Sequence, residues 1–293
     1  MFLNKKTTKS TESYSEKIVR IKECIDNKEA VIIGAGAGLS TAAGLEYGGE
    51  RFQKLFPEYI EKYELTDMYS SAFYPFETLE EYWGYWCLHV YHNRYAAELN
   101  DTYKKLLKLV EGKNYFVITT DGDHLFRLNG FPKERLFYTQ GDYGVFACSK
   151  GCHNKTYDNE ETILKMIDSL EDLKIDSRLI PYCPRCKEPM VVNLRKDKYF
   201  VEDEGWERAC DNYNDFIKAN RNKDIAFIEL GVGYNTPSII KYPFWQMTHS
   251  NPKATFISIN KGEAICADEI KDKSILIEND IYKVLSDLVD IRV

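Results

Sequence analysis

The sequence predicts an α/β fold: a doubly wound, parallel Rossmann-like sheet with a small cysteine-rich module and a helical insertion. Three observations predict it. An apolar run, Ala30–Ile33, leads directly into alternating glycines, Gly34, Gly36 and Gly38, and then into Leu39, Ser40 and small residues. Short β-rich runs then alternate with helical stretches, the pattern of strands joined by crossover helices. Finally, four of the eight cysteines form two close pairs, Cys148/Cys152 and Cys183/Cys186.

The elements follow in order. Residues 1–12 read as a polar tail. Ser13-x-x-Glu16 is a capping box, and Ile18, Ile21 and Ile25 recur at helical spacing up to a stop at Asp26-Asn27. The strand Ala30–Ile33 opens the sheet. Residues 50–100 are unusually aromatic; a second capping box, Thr78-x-x-Glu81, precedes a helix expected to bury Trp83, Trp86 and Val90. Asp101–Val110 reads as a helix, Tyr115–Thr119 and Leu136–Thr139 as strands, and Glu160–Leu173 as a charged helix. Glu204–Ala219 is predicted helical, Ile225–Leu230 a strand, and Thr236–Met247 a helix interrupted at Pro243. Strands at Thr255–Ile259 and Ser274–Ile277 and a helix at Ile281–Leu288 close the chain. The expected domains are an N-terminal tail and helix (1–29), a nucleotide-binding domain (30–144 and 196–293, with 50–100 as the helical insertion) and a cysteine module (145–195).

Composition bounds the function. Hydrophobic residues make up 44% and aromatics 14%, as in a folded globular protein, and the net charge of −7 argues against nucleic acid or an anionic membrane as the main partner. No apolar run approaches the roughly 20 residues that span a bilayer, and the start lacks the apolar region and cleavage site of a signal peptide. A cytoplasmic location is the expectation.

The two cysteine pairs supply four thiolates, which suits a closed, structural tetrahedral Zn²⁺ site held by Cys148, Cys152, Cys183 and Cys186. The strand–glycine–helix stretch can cradle a dinucleotide pyrophosphate on backbone amides. It is not the G-x-G-x-x-G pattern, because the sixth place from Gly34 is Leu39 and from Gly36 is Thr41, and no G-K-[ST] follows. Four strand ends carry polar or glycine residues: Asp121-Gly-Asp-His124, Gln140-Gly-Asp-Tyr-Gly144, Gly231-Val-Gly233 and Asn260-Lys-Gly262. Each alone reads equally well as a plain turn. Their recurrence favours one composite crevice.

These stretches together resemble the sirtuin family. Gly36-Ala-Gly-Leu-Ser40 followed by Ala42-Ala-Gly-Leu45 is similar to G-A-G-[IL]-S-x-x-(A/S)-G-I-P, and Thr119-Thr-Asp-Gly-Asp-His-Leu125 to T-Q-N-I-D-G-L. Gln140-Gly141 falls at the family's catalytic His-Gly, and the cysteine pairs match its zinc ribbon. Leu194-Arg-Lys-Asp197 resembles L-R-P-D, Gly231-Val-Gly233 stands at G-T-S, and Asn260 at the adenosine-ribose asparagine. The resemblance implies NAD as cosubstrate, bound by Gly36, Ala37, Gly38, Ser40, Thr120, Asp121, Asp123, Gln140, Gly231, Gly233, Asn260 and Ile281.

The departures matter as much. Gln140 replaces the histidine that acts as general base, Glu46-Tyr-Gly-Gly49 replaces P-D-F-R, and Asp121 stands where asparagine is usual. An amide takes no proton near neutral pH, and losing a needed general base costs about 10²–10⁴-fold. The pattern resembles the class M, macrodomain-linked sirtuins, which implies protein ADP-ribosyl transfer. The implied acceptor is a lipoylated glycine-cleavage H-like carrier, with a macrodomain protein as functional partner. Catalytic roles then fall to Gln140, Asp121 and Arg195, the last steering an acidic acceptor or a phosphate. An NAD-dependent deacylase with a displaced base, such as Asp121 or His124, and a silent NAD or ADP-ribose sensor are the alternatives.

Overall fold

The computed structural model describes residues 12–291. In chain order the elements are α1 (Tyr14–Asn27), β1 (Ala30–Ala35), α2 (Ala37–Ala42), α3 (Gly49–Leu55), α4 (Pro57–Tyr63), α5 (Met68–Ser71) and α6 (Leu79–Val90). A π-helical turn (Tyr91–Tyr95) extends α6 and leads to α7 (Asp101–Val110), β2 (Tyr115–Thr119), α8 (Leu125–Leu128), β3 (Leu136–Tyr138) and β4 (Gly141–Cys148). There follow β5 (Tyr157–Asp158), α9 (Glu160–Asp168), β6 (Met190–Leu194), α10 (Glu204–Asn220), β7 (Ile225–Leu230), α11 (Lys241–Ser250), β8 (Thr255–Ile259), β9 (Ser274–Ile277) and α12 (Ile281–Asp290).

Six strands form one sheet in the order β3-β2-β1-β7-β8-β9, with every pairing parallel. Chain progression runs outward in opposite directions from the β1/β7 pair, so these neighbours form the topological switch point, where ligands bind in open α/β sheets. Every residue of β1, β2 and β7 is buried, as expected for strands covered on both faces. One face packs α1, α7 and α12 through Ile21, Leu106 and Val284; the other packs α10 and α11 through Phe244 and Tyr213.

The remaining sheet, β5-β4-β6, is antiparallel and belongs to the cysteine-rich stretch. Its apolar face is not a separate core. Phe146, Ile163 and Met190 cluster with Phe52, Trp83 and Trp86 of the helical insertion, so insertion and cysteine stretch bury each other. The expected burial of Trp83, Trp86 and Val90 is observed.

Two helices differ from the sequence reading. The helix expected at Thr236–Met247 begins at Lys241; Pro243 therefore sits in its first turn, where a missing N–H costs nothing. The charged helix after Glu160 ends at Asp168, and Asp172 and Leu173 adopt left-handed conformations in the following turn. Of the four cysteines outside the two pairs, Cys87 is buried, whereas Cys24, Cys210 and Cys266 are partly exposed. Among the described residues no helix is long and apolar enough to cross a membrane.

Candidate active site

The carboxyl ends of β1 and β7 meet at three glycines. Gly36 donates to Leu230 O at 3.1 Å, and Gly38 to Gly231 O at 3.0 Å. A Cβ on Gly38 would lie 2.6 Å from the Gly231 Cα, and one on Gly36 3.0 Å from the Gly231 carbonyl oxygen. Gly231 itself has φ +63°, a conformation L side chains rarely adopt. These glycines thus bring two backbones into contact at the switch point. Their own amides are taken by carbonyls, and Leu39 donates to Gly36 O at 2.8 Å. Ala37, exposed at the first position of α2, carries an amide with no acceptor among the described residues.

Beside this turn, the end of β2 carries two carboxyls. Asp123 is buried; Oδ2 accepts from Ser40 Oγ at 2.6 Å and Oδ1 from Leu125 N at 3.0 Å. Ser40 Oγ also lies 3.4 Å from the buried Tyr103 hydroxyl. Asp121 is half-buried: its N–H donates to Thr119 Oγ1, and Oδ2 lies 3.1 Å from that same oxygen. Burial and then the Asp123 carboxylate push the Asp121 carboxyl well above the usual range, and burial also raises Asp123. The hydrogen bonds agree. Thr119 Oγ1 is 3.1 Å from Ala35 O. If Asp121 keeps its proton and donates it to Thr119, the threonine hydroxyl hydrogen is free for Ala35 O and every group is satisfied.

Gln140 follows β3, which pairs with β2 so that Thr119 faces Tyr138. Its carbonyl accepts from Arg195 N at 2.9 Å. Gly141 has φ +103°, and a Cβ there would strike Asn193 O at 1.9 Å, so only glycine lets the chain turn from β3 into β4. Tyr143 N donates to Gly122 O at 3.0 Å, drawing the Gln140 and Asp121 stretches together. The Arg195 guanidinium packs 4.2 Å from the Phe200 ring, donates from Nε to Thr139 O and pairs with Glu202. It touches the Gln140 stretch through its backbone.

On the far side of the switch point, Asn260 is buried with Nδ2 3.2 Å from Val232 O. Gly233 is exposed with open space around it, Thr120 N is held by Ala35 O, and the Ile281 side chain lies in the main core. Thus the strand-end residues come to one edge of the sheet, as the composite crevice requires.

The four cysteine sulfurs converge within 4.8 Å of one another, with Cys148–Cys186 at 3.5 Å and Cys152–Cys183 at 3.6 Å. Four Zn–S bonds of about 2.3 Å place tetrahedral sulfurs about 3.8 Å apart, so the donor set fits zinc. His153 Nδ1 is 3.0 Å from Cys152 Sγ and its Nε2 2.9 Å from the Tyr157 hydroxyl.

Sequence reasoning missed three constellations. Tyr47 of the first motif meets Tyr143 hydroxyl to hydroxyl at 2.5 Å, and His89 packs edge-on against both rings. Burial, then the Arg51 charge, holds the His89 imidazole down at about 3. Arg94 from the π-turn, His124 and Asp142 form a closed set: Arg94 Nε–Asp142 3.3 Å, His124 Nε2–Asp142 2.8 Å, Arg94 Nη2–His124 Nδ1 3.1 Å. Behind β7, the fully buried Lys241 and Glu229 pair at 2.6 Å, with Ser258 also on Glu229 Oε1. None has a periodic signature. The Tyr47–Tyr143 bond spans 96 residues; the only available signal was that both tyrosines adjoin motifs.

No family profile matches the chain. Solved Sir2 structures share its fold: one described as the structural basis for the mechanism and regulation of Sir2 enzymes has a TM-score of 0.57 at 20% identity, covering 94% of this chain and 97% of that one. A Sir2 protein bound to a p53 peptide and NAD+ has a TM-score of 0.54 at 18% identity, covering 91% and 95%. In sequence, a protein ADP-ribosyltransferase of Staphylococcus aureus is 35% identical over 267 residues, 91% of this chain and 85% of the relative. The chain belongs to the sirtuin-type protein ADP-ribosyltransferases. A probable bifunctional ADP-ribose hydrolase/ADP-ribosyltransferase of Fusarium oxysporum is 30% identical over 285 residues, and the chain spans 47% of that relative's length. Sir2 proteins thus share the fold on which this chain carries Gln140 after its edge strand.

Proposed function

We propose that the chain is an NAD-dependent protein ADP-ribosyltransferase, moving ADP-ribose to an acceptor protein with release of nicotinamide. The observation that carries this reading is Gln140 at the crevice edge, on a stretch drawn by Tyr143 N to Gly122 O between Asp121 and Asp123. The staphylococcal relative's name supports it. The residues present fit NAD: the exposed Ala37 amide suits an anion at the switch point, Gly36 and Gly38 let the turn pack on Gly231 and so set that amide at the strand ends, and Asn260 suits a ribose hydroxyl. Bound there, NAD supplies an electrophilic ribose carbon and a nicotinamide leaving group.

The chain's own residues then position and stabilise. Gln140 hydrogen-bonds without taking a proton. Held towards its neutral form, the Asp121 carboxyl repels a pyrophosphate less than an ordinary carboxylate would. A carboxyl at Asp121 would present oxygen lone pairs to a ribose carbon that develops positive charge, with its own proton staying on the Thr119 hydroxyl contact. Thr120, Gly231, Gly233 and Ile281 complete the assigned nucleotide contacts, and Arg195 holds the Gln140 carbonyl through its amide. Zn²⁺ on Cys148, Cys152, Cys183 and Cys186 would be structural, since four sulfurs leave no open position.

The deacylase alternative needs a proton acceptor. His124 has both ring nitrogens engaged, by Asp142 and Arg94, and Asp121 is held towards its neutral form. Both features favour transfer. The family resemblance supports a lipoylated glycine-cleavage H-like carrier as acceptor. The family resemblance supports a macrodomain protein as the functional partner, and the Fusarium relative's name pairs an ADP-ribose hydrolase with the transferase. Labelled NAD incubated with a lysate and the chain tests the reading: label should appear on a protein. Nicotinamide release tied only to deacylation of an acyl-peptide would refute it.

A further inference from the structure

A cavity of about 430 Å³ opens between α3, the π-turn and the segment leading to α7. It lies at the carboxyl end of α2, and neither Gln140 nor the Asp121–Asp123 pair lines it. Such a volume is that of a small-molecule site.

Its walls have a definite chemistry. Arg51, half-buried, gives Nη1 to Glu46 O and Asn93 Oδ1, both at 3.0 Å, and Nη2 to His92 O at 2.9 Å. These acceptors are uncharged, and no carboxylate among the described residues pairs with it. The Nε–H and one Nη2 N–H are unused, leaving part of the fork that binds oxyanions in bidentate fashion. Lys54 stands beside it, exposed and without an ion pair among the described residues. His92 and Asn100 complete the polar side, and Glu98 is the single acidic residue in the lining. Leu45, Leu55, Leu99 and Leu125 lead the apolar part, with Leu99 60% exposed.

A guanidinium and an ammonium without counter-charges, in a chain of net charge −7, favour an anion. The cavity is much larger than a bare anion, and the leucines offer it an apolar body. We propose that this cavity is a second ligand site, which takes a small organic anion with an oxyanion head on Arg51 and Lys54 and an aliphatic body against Leu45 and Leu99. Carboxylate and phosphate heads share that chemistry. Arg51 ties the first-motif loop at Glu46 to the π-turn at His92 and Asn93, and Arg94 of the same turn bonds Asp142 beside the Gln140 stretch. An occupant would therefore bear on the active-site edge from behind.

Hexanoate and hexyl phosphate, with hexanol and acetate as controls, test the site by NMR titration of the full chain with NAD at saturation. Shifts should localise to the Arg51 Nε–H and the amides of residues 96–99. Both hexyl anions should bind at least tenfold more tightly than hexanol or acetate, and the tighter of the two identifies the natural head group. Lys54→Gln should weaken binding at least threefold, and Glu98→Gln should tighten it about as much. Arg51 also holds the loop, so Leu99→Glu is the safer block: at an exposed position it should abolish binding while leaving the thermal midpoint unchanged. Equal binding of hexanol, displacement by NAD, or indifference to Lys54→Gln and Leu99→Glu would overturn the proposal.

Discussion

Replacing Asp121 by asparagine isolates the most unusual electrostatic feature of the site. In the folded chain, burial and Asp123 raise the Asp121 carboxyl above its ordinary range. The folded state therefore keeps a proton that the unfolded chain releases near pH 4. The sign follows from linkage: stability is full below the unfolded value and drains as pH rises towards the raised folded one. Within that window the slope is up to about 1.4 kcal/mol per pH unit for one proton. The side-chain amide of the Asp121→Asn variant would have no proton to lose, and its N–H can donate to Thr119 Oγ1 as the neutral acid does. Relieved of its neighbour, Asp123 should also titrate lower. Urea unfolding from pH 4 to 8 should therefore show the wild type losing stability relative to Asp121→Asn as pH rises above 4, with the curves merging at the acid end. Parallel curves across this range would refute the raised carboxyl, and with it the neutral-acid role given to Asp121.

Further expectations follow from the same geometry. Gly38→Ala drives a Cβ to 2.6 Å from the Gly231 Cα and should cost about 1–3 kcal/mol together with NAD binding by calorimetry, whereas Gly233→Ala, in open space, should leave stability unchanged. One Zn²⁺ per chain should be found by elemental analysis, and Cys183→Ser, at a buried ligand position, should abolish it and lower the melting temperature. Tyr47→Phe leaves the Tyr143 hydroxyl without its 2.5 Å partner and should cost about 1–3 kcal/mol, more than half of which the double Tyr47→Phe/Tyr143→Phe variant recovers.

Much of the sheet was legible because its signals are local. Ile225–Leu230 and Thr255–Ile259 are strands over the bounds the apolar runs suggested, and the capping box at Ser13 forms with both of its bonds. The cysteine pairs needed only spacing. Thr236–Met247 misled because Pro243 read as an interruption inside a helix, when it lies in the first turn of a later one. The pairing of Tyr47 with Tyr143, and of Arg94 with Asp142 and His124, depends on how the helical insertion folds back on β4. No periodicity encodes that. The insertion and cysteine stretch share a core for the same reason: Trp83 meets Phe146 edge-on at 5.0 Å across 63 positions of sequence. Asp121 was visible as a departure, yet the upward push on its carboxyl comes from burial and from the nearness of Asp123, which only the folded chain supplies.

In the proposed function the glutamine at position 140 serves transfer and not deacylation. Mass spectrometry of a lipoylated carrier protein after incubation with NAD and the chain tests it most directly, with an acyl-peptide run in parallel. One ADP-ribosyl group on the carrier for each nicotinamide released, an intact acyl-peptide, and a loss of about 3- to 10-fold in rate for Gln140→Ala, the worth of a hydrogen bond, are the expected results. A deacylated peptide with an unmodified carrier would contradict the account.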